Sequence, residues 1–212
     1  MIKLYTYPAS SNSRKVRVVL LEKGLEFERV TIDLAKREQK SPEYLKIHPF
    51  GTVPALDDEG FVVYDSTIIN EYLEDEYPEP PMLPTLGSSA QRARARLFED
   101  FADTSFTPQV GQLMAEMARA EGERDQGRLQ RLHRSIERAL DYLNHELTGQ
   151  QFLAGEFSVA DIGFAPRVLI LSELGVQAAT NRPNVDAWIK RMLERPSIQS
   201  LQGVTIEPLA GV

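Results

Sequence analysis

Ile2, Leu4 and Thr6 alternate with polar or amphipathic neighbours, which predicts a strand with one buried face. Pro8 ends it, and Ser10, Ser11, Asn12 and Ser13 follow, side chains whose oxygens accept from the orphan N–H groups of a helix's first turn. Val16, Val19 and Leu20 then begin a helical stripe that runs from about Ser11 to Lys23 and stops at Gly24. Phe27, Val30 and Ile32 predict a second strand, so the opening is a right-handed βαβ unit. After the polar stretch 34–40, Ser41 and Pro42 mark the N-cap and first position of a short helix.

Pro49 and Pro54 bracket Gly51 in a tight turn, with Val53-Pro54 a candidate cis bond. Leu56, the hairpin turn at 57–60 and the run Phe61-Val62-Val63-Tyr64 predict two antiparallel strands. Asp65-Ser66 caps a helix with Ile68, Ile69, Tyr72 and Leu73 on one side. Four prolines between Tyr77 and Pro84 cannot continue helix or central strand and mark a linker. Beyond it the periodicity is helical. Ala93, Leu97, Phe101 and Ala102 form one expected stripe, and Leu113, Met114 and Met117 continue it past a kink at Pro108 and Gly111. Leu132, Ile136, Leu140, Leu143 and Leu147 predict a strongly amphipathic helix. Ser158 to Asp161 has capping-box spacing, with Phe157 and Ile162 placed for a hydrophobic staple. The helix it opens, through Phe164, Val168, Leu169 and Leu171, is apolar nearly all round and should be central. Val185, Trp188, Ile189, Met192 and Leu193 predict a last helix closed by Pro196. The order is an α/β unit over residues 1–80, a linker over 81–88 and an all-α unit over 89–212.

Composition narrows the chemistry. The chain of 212 residues has no cysteine, so a thiol reaction must use a thiol from outside. A net charge of −7 argues against nucleic acid as a partner, and Arg92, Arg94 and Arg96 spread around their helix as a solvated face. His48, His133 and His145 lack ligand spacing, so no metal is expected. No apolar run is long enough to span a bilayer and the start is not a signal peptide, which predicts a cytoplasmic protein without a membrane partner.

Pro8-Ala9-Ser10 with Val16 after it, the Pro49-to-Pro54 turn, the Asp65-Ser66 cap and Ser158-to-Asp161 occur in the order and spacing of the glutathione transferases. The chain resembles that family over essentially its whole length. The resemblance implies a thioredoxin-like N-terminal domain, an all-α C-terminal domain that binds the electrophile, and a cytoplasmic, homodimeric detoxification enzyme with glutathione as co-substrate. Ser10 matches the serine that activates the glutathione thiol in the phi, theta and zeta classes, and Ser11 is the alternative. Tyr7, or Tyr5, keeps a tyrosine-type arrangement open. By the same resemblance Gln39 and Lys40 hold the glycine carboxylate, Val53 in the Thr52-Val53-Pro54 segment pairs with the cysteinyl backbone, and Asp65 and Ser66 take the γ-glutamyl end. Phe106, Gln109, Val110, Met114 and Phe164 are the candidate wall of the electrophile pocket, and Phe50 with the helix carrying Arg92 to Phe101 the candidate dimer contacts. The absence of cysteine sets aside the cysteine-centred classes. Two further readings accompany conjugation. One is a zeta-type isomerase acting on a maleyl-like acid, although the zeta Ser-Ser-Cys run is here Ser10-Ser11-Asn12. The other is a glutathione-binding module without turnover.

Overall fold

The computed structural model describes residues 1–85 and 88–201, so residues 86 and 87 of the expected linker and 202–212 of the expected second domain lie outside the described residues. The chain divides into two compact units, with Met1–Met82 forming most of the first and Leu83–Ser200 the second.

The first unit is built on a sheet in the order β2-β1-β3-β4, from β1 (Ile2–Thr6), β2 (Phe27–Thr31), β3 (Ala55–Asp58) and β4 (Phe61–Tyr64). β1 and β2 run parallel, joined by helix α1 (Ser11–Glu22), and β3 is antiparallel to β1 and β4. Leu4 pairs with Leu56 and Leu56 with Val63, so these apolar side chains share a face. All three are buried, as are Val16, Val19 and Leu20 of α1 and Ile69 and Leu73 of α3 (Ser66–Glu76). Alternation sends Tyr5 to the opposite face. There Tyr5, Tyr7, Val30 and Leu34 pack around Ile32, Val53 and Tyr44 of the short helix α2 (Pro42–Leu45).

On α3 the expected stripe is narrower than four residues. Ile69 and Leu73 are buried at i, i+4 spacing, whereas Ile68, about 100° round the helix, is 54% exposed. The proline segment is held by a buried cation. Lys23 Nζ donates to Glu74 Oε2 (2.9 Å), Tyr77 O (2.7 Å) and Pro80 O (3.0 Å), while Met82 N–H donates to the same Glu74 oxygen (2.8 Å).

The second unit contains α4 (Ser89–Phe101), α5 (Thr107–Met117), α6 (Gln126–Glu146), α7 (Val159–Val168), α8 (Pro183–Leu193) and the short α9 (Pro196–Gln199). The expected break near Pro108 is a π-helical turn, Ala102–Phe106, that widens the chain before proline enters the first turn of α5. The buried residues of α4 are Ala95, Phe98 and Glu99, continued by Ala102 of the π-helical turn; Ala93 is exposed and Leu97 is 57% exposed. The cause is α7, which packs on α4 and comes so close that a Cβ on Gly163 would lie 3.0 Å from Ala102 Cβ. Nor are Arg92 and Arg94 simply solvated, although Arg96 is exposed. Arg94 Nε donates to Leu153 O (2.7 Å), its guanidinium pairs with Glu146 (2.8 Å) and lies 4.8 Å from the centre of the Phe98 ring, while Arg92 donates to Pro84 O (3.0 Å).

The apolar face of α6 is buried through Leu132, Ile136, Leu140 and Leu143. Helix α7 is buried at every position but Arg167, and it ends at Val168; Leu171 opens a following 3₁₀ turn. Pro196 does more than close α8, because it begins α9. At the start of α7 the Asp161 carboxylate accepts from Ser158 N–H (3.1 Å), Leu153 N–H (3.0 Å) and the Trp188 indole N–H (2.8 Å). Among the described residues no helix is long and apolar enough to cross a membrane.

Candidate active site

Strand register sets the site. Ala55 pairs with both Tyr5 and Tyr64, so the end of β1, the start of β3 and the end of β4 meet at one edge of the sheet. The Ser10 turn leaves that edge after β1, Val53-Pro54 enters it before β3, and Asp65-Ser66 leaves it after β4. Three segments far apart in sequence are thereby adjacent.

Ser10 is the N-cap of α1, and its Oγ accepts from Ser13 N–H (3.2 Å). That bond uses a lone pair and leaves the hydroxyl proton, which has no acceptor among the described residues. Further bonds fix the turn. Ser10 N–H donates to Tyr7 O (3.0 Å), Arg14 Nε to Pro8 O (2.8 Å) and Tyr7 N–H to Ser13 Oγ (3.4 Å). Arg14 is buried, and burial pulls its pKa down, with Arg17 adding repulsion. Ser11 stands at the first position of α1, partly exposed. The rings of Tyr5 and Tyr7 pack against the Ile32, Tyr44 and Val53 cluster.

Asp65 caps α3 from a backbone φ of 72°, with Oδ1 accepting from Thr67 N–H (3.0 Å) and Ile68 N–H (3.2 Å). Ser66 is buried at the first position of that helix. Lys15, also buried, donates from Nζ to Thr67 Oγ1 (3.0 Å) and so joins α1 to the first turn of α3. Two helix N-termini and a buried ammonium therefore share one edge, a combination that favours anions.

The turn before β3 is built by side chains. Val53-Pro54 is cis. Gly51 has φ +58°, and a Cβ there would meet Gln39 O at 2.5 Å, so glycine is required on both counts. Lys40 Nζ donates to Phe50 O (2.9 Å), and the Gln39 side-chain oxygen is buried without a hydrogen-bond partner among the described residues. Tyr44 Oη donates to Thr52 O (2.7 Å). His48 Nδ1 accepts from Phe50 N–H (3.3 Å), which leaves Nε2–H of the neutral ring to donate to Thr52 Oγ1 (2.8 Å), and the ring stacks on Tyr64 with centroids 4.4 Å apart. Burial holds the imidazole below its ordinary pKa of 6.5, Asp65 opposing and Lys40 assisting.

A depressed folded-state pKa means that His48 contributes stability above the unfolded value of about 6.5, lost as pH falls through the folded value. Denaturant midpoints measured from about pH 8 down to about pH 5 should therefore fall less steeply in His48→Gln than in the wild type. Parallel profiles would contradict this.

The structure thus brings Ser10, Ser11, Thr52, Val53, Pro54, Asp65 and Ser66 to one edge and sets Gln39 and Lys40 against the turn. The proposed electrophile wall fares differently. Phe106, Val110 and Phe164 have no exposed surface; Phe106 and Phe164 stack edge to face at 5.2 Å, and Phe164 lies 6.2 Å from Trp188. They are the core of the helical unit, because their helical spacing matches its packed interior. Met114 is nearly buried, with Arg167 donating to its sulfur (2.8 Å), and Gln109 lines a groove beside α6. His48, Arg14, Lys15 and Tyr44 are the supporting residues that sequence reasoning missed. The one available signal was basic side chains inside the apolar stripe of the first helix.

A βαβ unit with a proline turn opposite a capped helix, followed by an all-helical unit, defines the glutathione transferase class. Residues 4–81 match the family model for the glutathione S-transferase N-terminal domain, and residues 100–196 match that for the C-terminal domain. Glutathione S-transferase 3 of Zea mays is 32% identical over 208 residues, covering 93% of this chain and 91% of the maize protein. A zeta-class enzyme of Euphorbia esula is 53% identical, but over 83 residues, 39% of this chain and 37% of that one. The crystal structure of URE2P8 from Phanerochaete chrysosporium with oxidized glutathione superposes with a TM-score of 0.85 at 30% identity, covering 94% of this chain and 92% of that chain. The chain belongs to the glutathione S-transferase family.

Proposed function

We propose that this glutathione transferase conjugates the glutathione thiolate to small hydrophobic electrophiles, with the Ser10 hydroxyl holding the thiolate. The convergence of Ser10, Val53 and Ser66 on one sheet edge carries the proposal. Asp65 faces the γ-glutamyl ammonium, Ser66 and its helix N-terminus the α-carboxylate, Val53 the cysteinyl backbone, and Lys40 with the Gln39 side-chain N–H donors the glycine carboxylate. A serine mechanism is favoured over a tyrosine one because Ser10 is the N-cap of α1, where its hydroxyl proton and the helix dipole act on the same anion, whereas the Tyr5 and Tyr7 rings lie in the Ile32, Tyr44 and Val53 cluster.

A thiol of pKa about 8.5 must gain roughly 2.7 kcal/mol in favour of its anion to fall by about two units. A hydroxyl hydrogen bond to a charge contributes about 1.5–3 kcal/mol and a helix N-terminus about 0.3–1. Together they suffice. The sulfur then forms its bond to the electrophilic carbon, and with a chlorinated nitrobenzene chloride departs. Phe50, 72% exposed, and Leu97 are the apolar side chains we assign to a homodimer contact, and the cytoplasm is the place of the proposed detoxification.

Turnover of a chlorinated nitrobenzene with glutathione tests the proposal, and glutathione affinity without turnover would leave only a binding module. Ser66→Ala should weaken glutathione binding by about 10-fold or more, as loss of a hydrogen bond to a charged group implies; unchanged affinity by calorimetry refutes the Ser66 role. The 53% identity of the N-terminal segment to a zeta-class enzyme favours a second reading, cis–trans isomerisation of a maleyl-type acid. Isomerisation faster than every conjugation on a substrate panel would establish it.

A further inference from the structure

The groove of about 610 Å³ between α5 and α6 is lined by Arg128, Arg131, Arg134 and Arg138 of α6, facing Gln109 and Gln112 of α5. Four cations on one side of a helix are unusual in a chain of net charge −7. Arg128 has a counter-ion, Glu116 at 3.6 Å. Among the described residues Arg131, Arg134 and Arg138 have no carboxylate within ion-pair distance, and Asp141, one turn beyond Arg138, is taken by Arg182 at 2.6 Å. Like charges three and four residues apart repel along a helix. Asp125, whose carboxyl is held down by Arg128 N–H and by the charges of Arg131 and Arg128, offsets this at the start of α6, which leaves Arg134 and Arg138 to gain from an anion across the row. From Arg128 to Arg138 it extends about 15 Å, at about 1.5 Å per residue.

We propose that this groove binds a small anion carrying two or more phosphate groups. Guanidinium forks match phosphate and carboxylate edges alike, but a tetrahedral phosphate offers oxygens in several directions and can engage arginines one turn apart, whereas a carboxylate offers one planar edge. The volume suits a small molecule, and the lining is polar apart from Leu132, so charge and not apolar contact selects the ligand. The groove is built by other residues than those of the Ser10 edge, so the proposal stands independently of conjugation.

Calorimetry with inorganic tripolyphosphate at about 150 mM salt, where exposed charges act over only about 8 Å, tests it. Tripolyphosphate should bind at least 10-fold tighter than orthophosphate or citrate. Arg134→Gln/Arg138→Gln should lose at least 10-fold in that affinity and keep the wild-type conjugation rate, while Lys36→Gln/Lys46→Gln, the same charge change elsewhere, should bind as the wild type does. No binding by the wild type, equal losses in the two double variants, or citrate binding as tight as tripolyphosphate would each overturn the proposal.

Discussion

Ser10→Ala is expected to lower turnover by about 10- to 100-fold, the worth of a hydrogen bond from a hydroxyl to a charged sulfur. Glutathione affinity should change much less, because Val53, Asp65 and Ser66 are untouched. The variant also removes a helix cap, since Ser10 Oγ accepts from Ser13 N–H at 3.2 Å, and this alone costs about 1 kcal/mol of stability. The two effects separate by substitution. Ser10→Asp keeps a capping oxygen but, ionised, has no proton to donate, so it should restore stability and leave turnover low. Ser11→Ala should keep most activity. Wild-type turnover in Ser10→Ala, or a collapse confined to Ser11→Ala, transfers the role to Ser11 or Tyr7.

The second large effect is on folding. Asp161→Ala strips the acceptor from Ser158 N–H, Leu153 N–H and the Trp188 indole, each worth about 1–3 kcal/mol when left buried and unsatisfied. The offset is electrostatic, because burial raises the Asp161 pKa to about 6, and ionising it at neutral pH already costs the native state. The net loss should be about 3 kcal/mol or more. Its pH dependence follows from the sign of the shift. A raised folded-state pKa gives stability that is full below the unfolded value near 3.8 and lost as pH rises through about 6. The Asp161 contribution grows as pH falls from about 7 toward 5 and is missing in Asp161→Ala, so, with His48 titrating alike in both proteins, the gap between them should widen on acidification. Trp188, the one tryptophan in the chain, donates to Asp161 and reports both transitions by fluorescence. A gap independent of pH would show that the carboxyl does not titrate in this range.

Much of this arrangement was legible before any coordinates. Caps, turns and prolines act locally, so Ser10, Asp65 and Ser158 marked helix starts that the structure reproduces within a residue, and Gly51 a turn that it also shows. What sequence could not supply was which side of a helix meets a neighbour. Periodicity placed Ala93 and Leu97 inward, yet the approach of α7 at Gly163 turns Ala95 and Phe98 inward instead. The same ambiguity placed Phe106, Val110 and Phe164 in a pocket wall, when apolar helical spacing describes core and pocket equally well. His48 shows another limit. Its role depends on Phe50, Thr52 and Tyr64 closing around it, a constellation created by the turn's fold and not by any spacing in the chain.

The central claim is that Ser10 holds a glutathione thiolate. Ultraviolet titration of thiolate absorbance in the enzyme–glutathione complex measures it without any electrophile. The wild type should ionise bound glutathione about two units below the free thiol's value of about 8.5, and Ser10→Ala should return most of that shift. An identical titration in the two proteins would contradict the account, whatever their turnover.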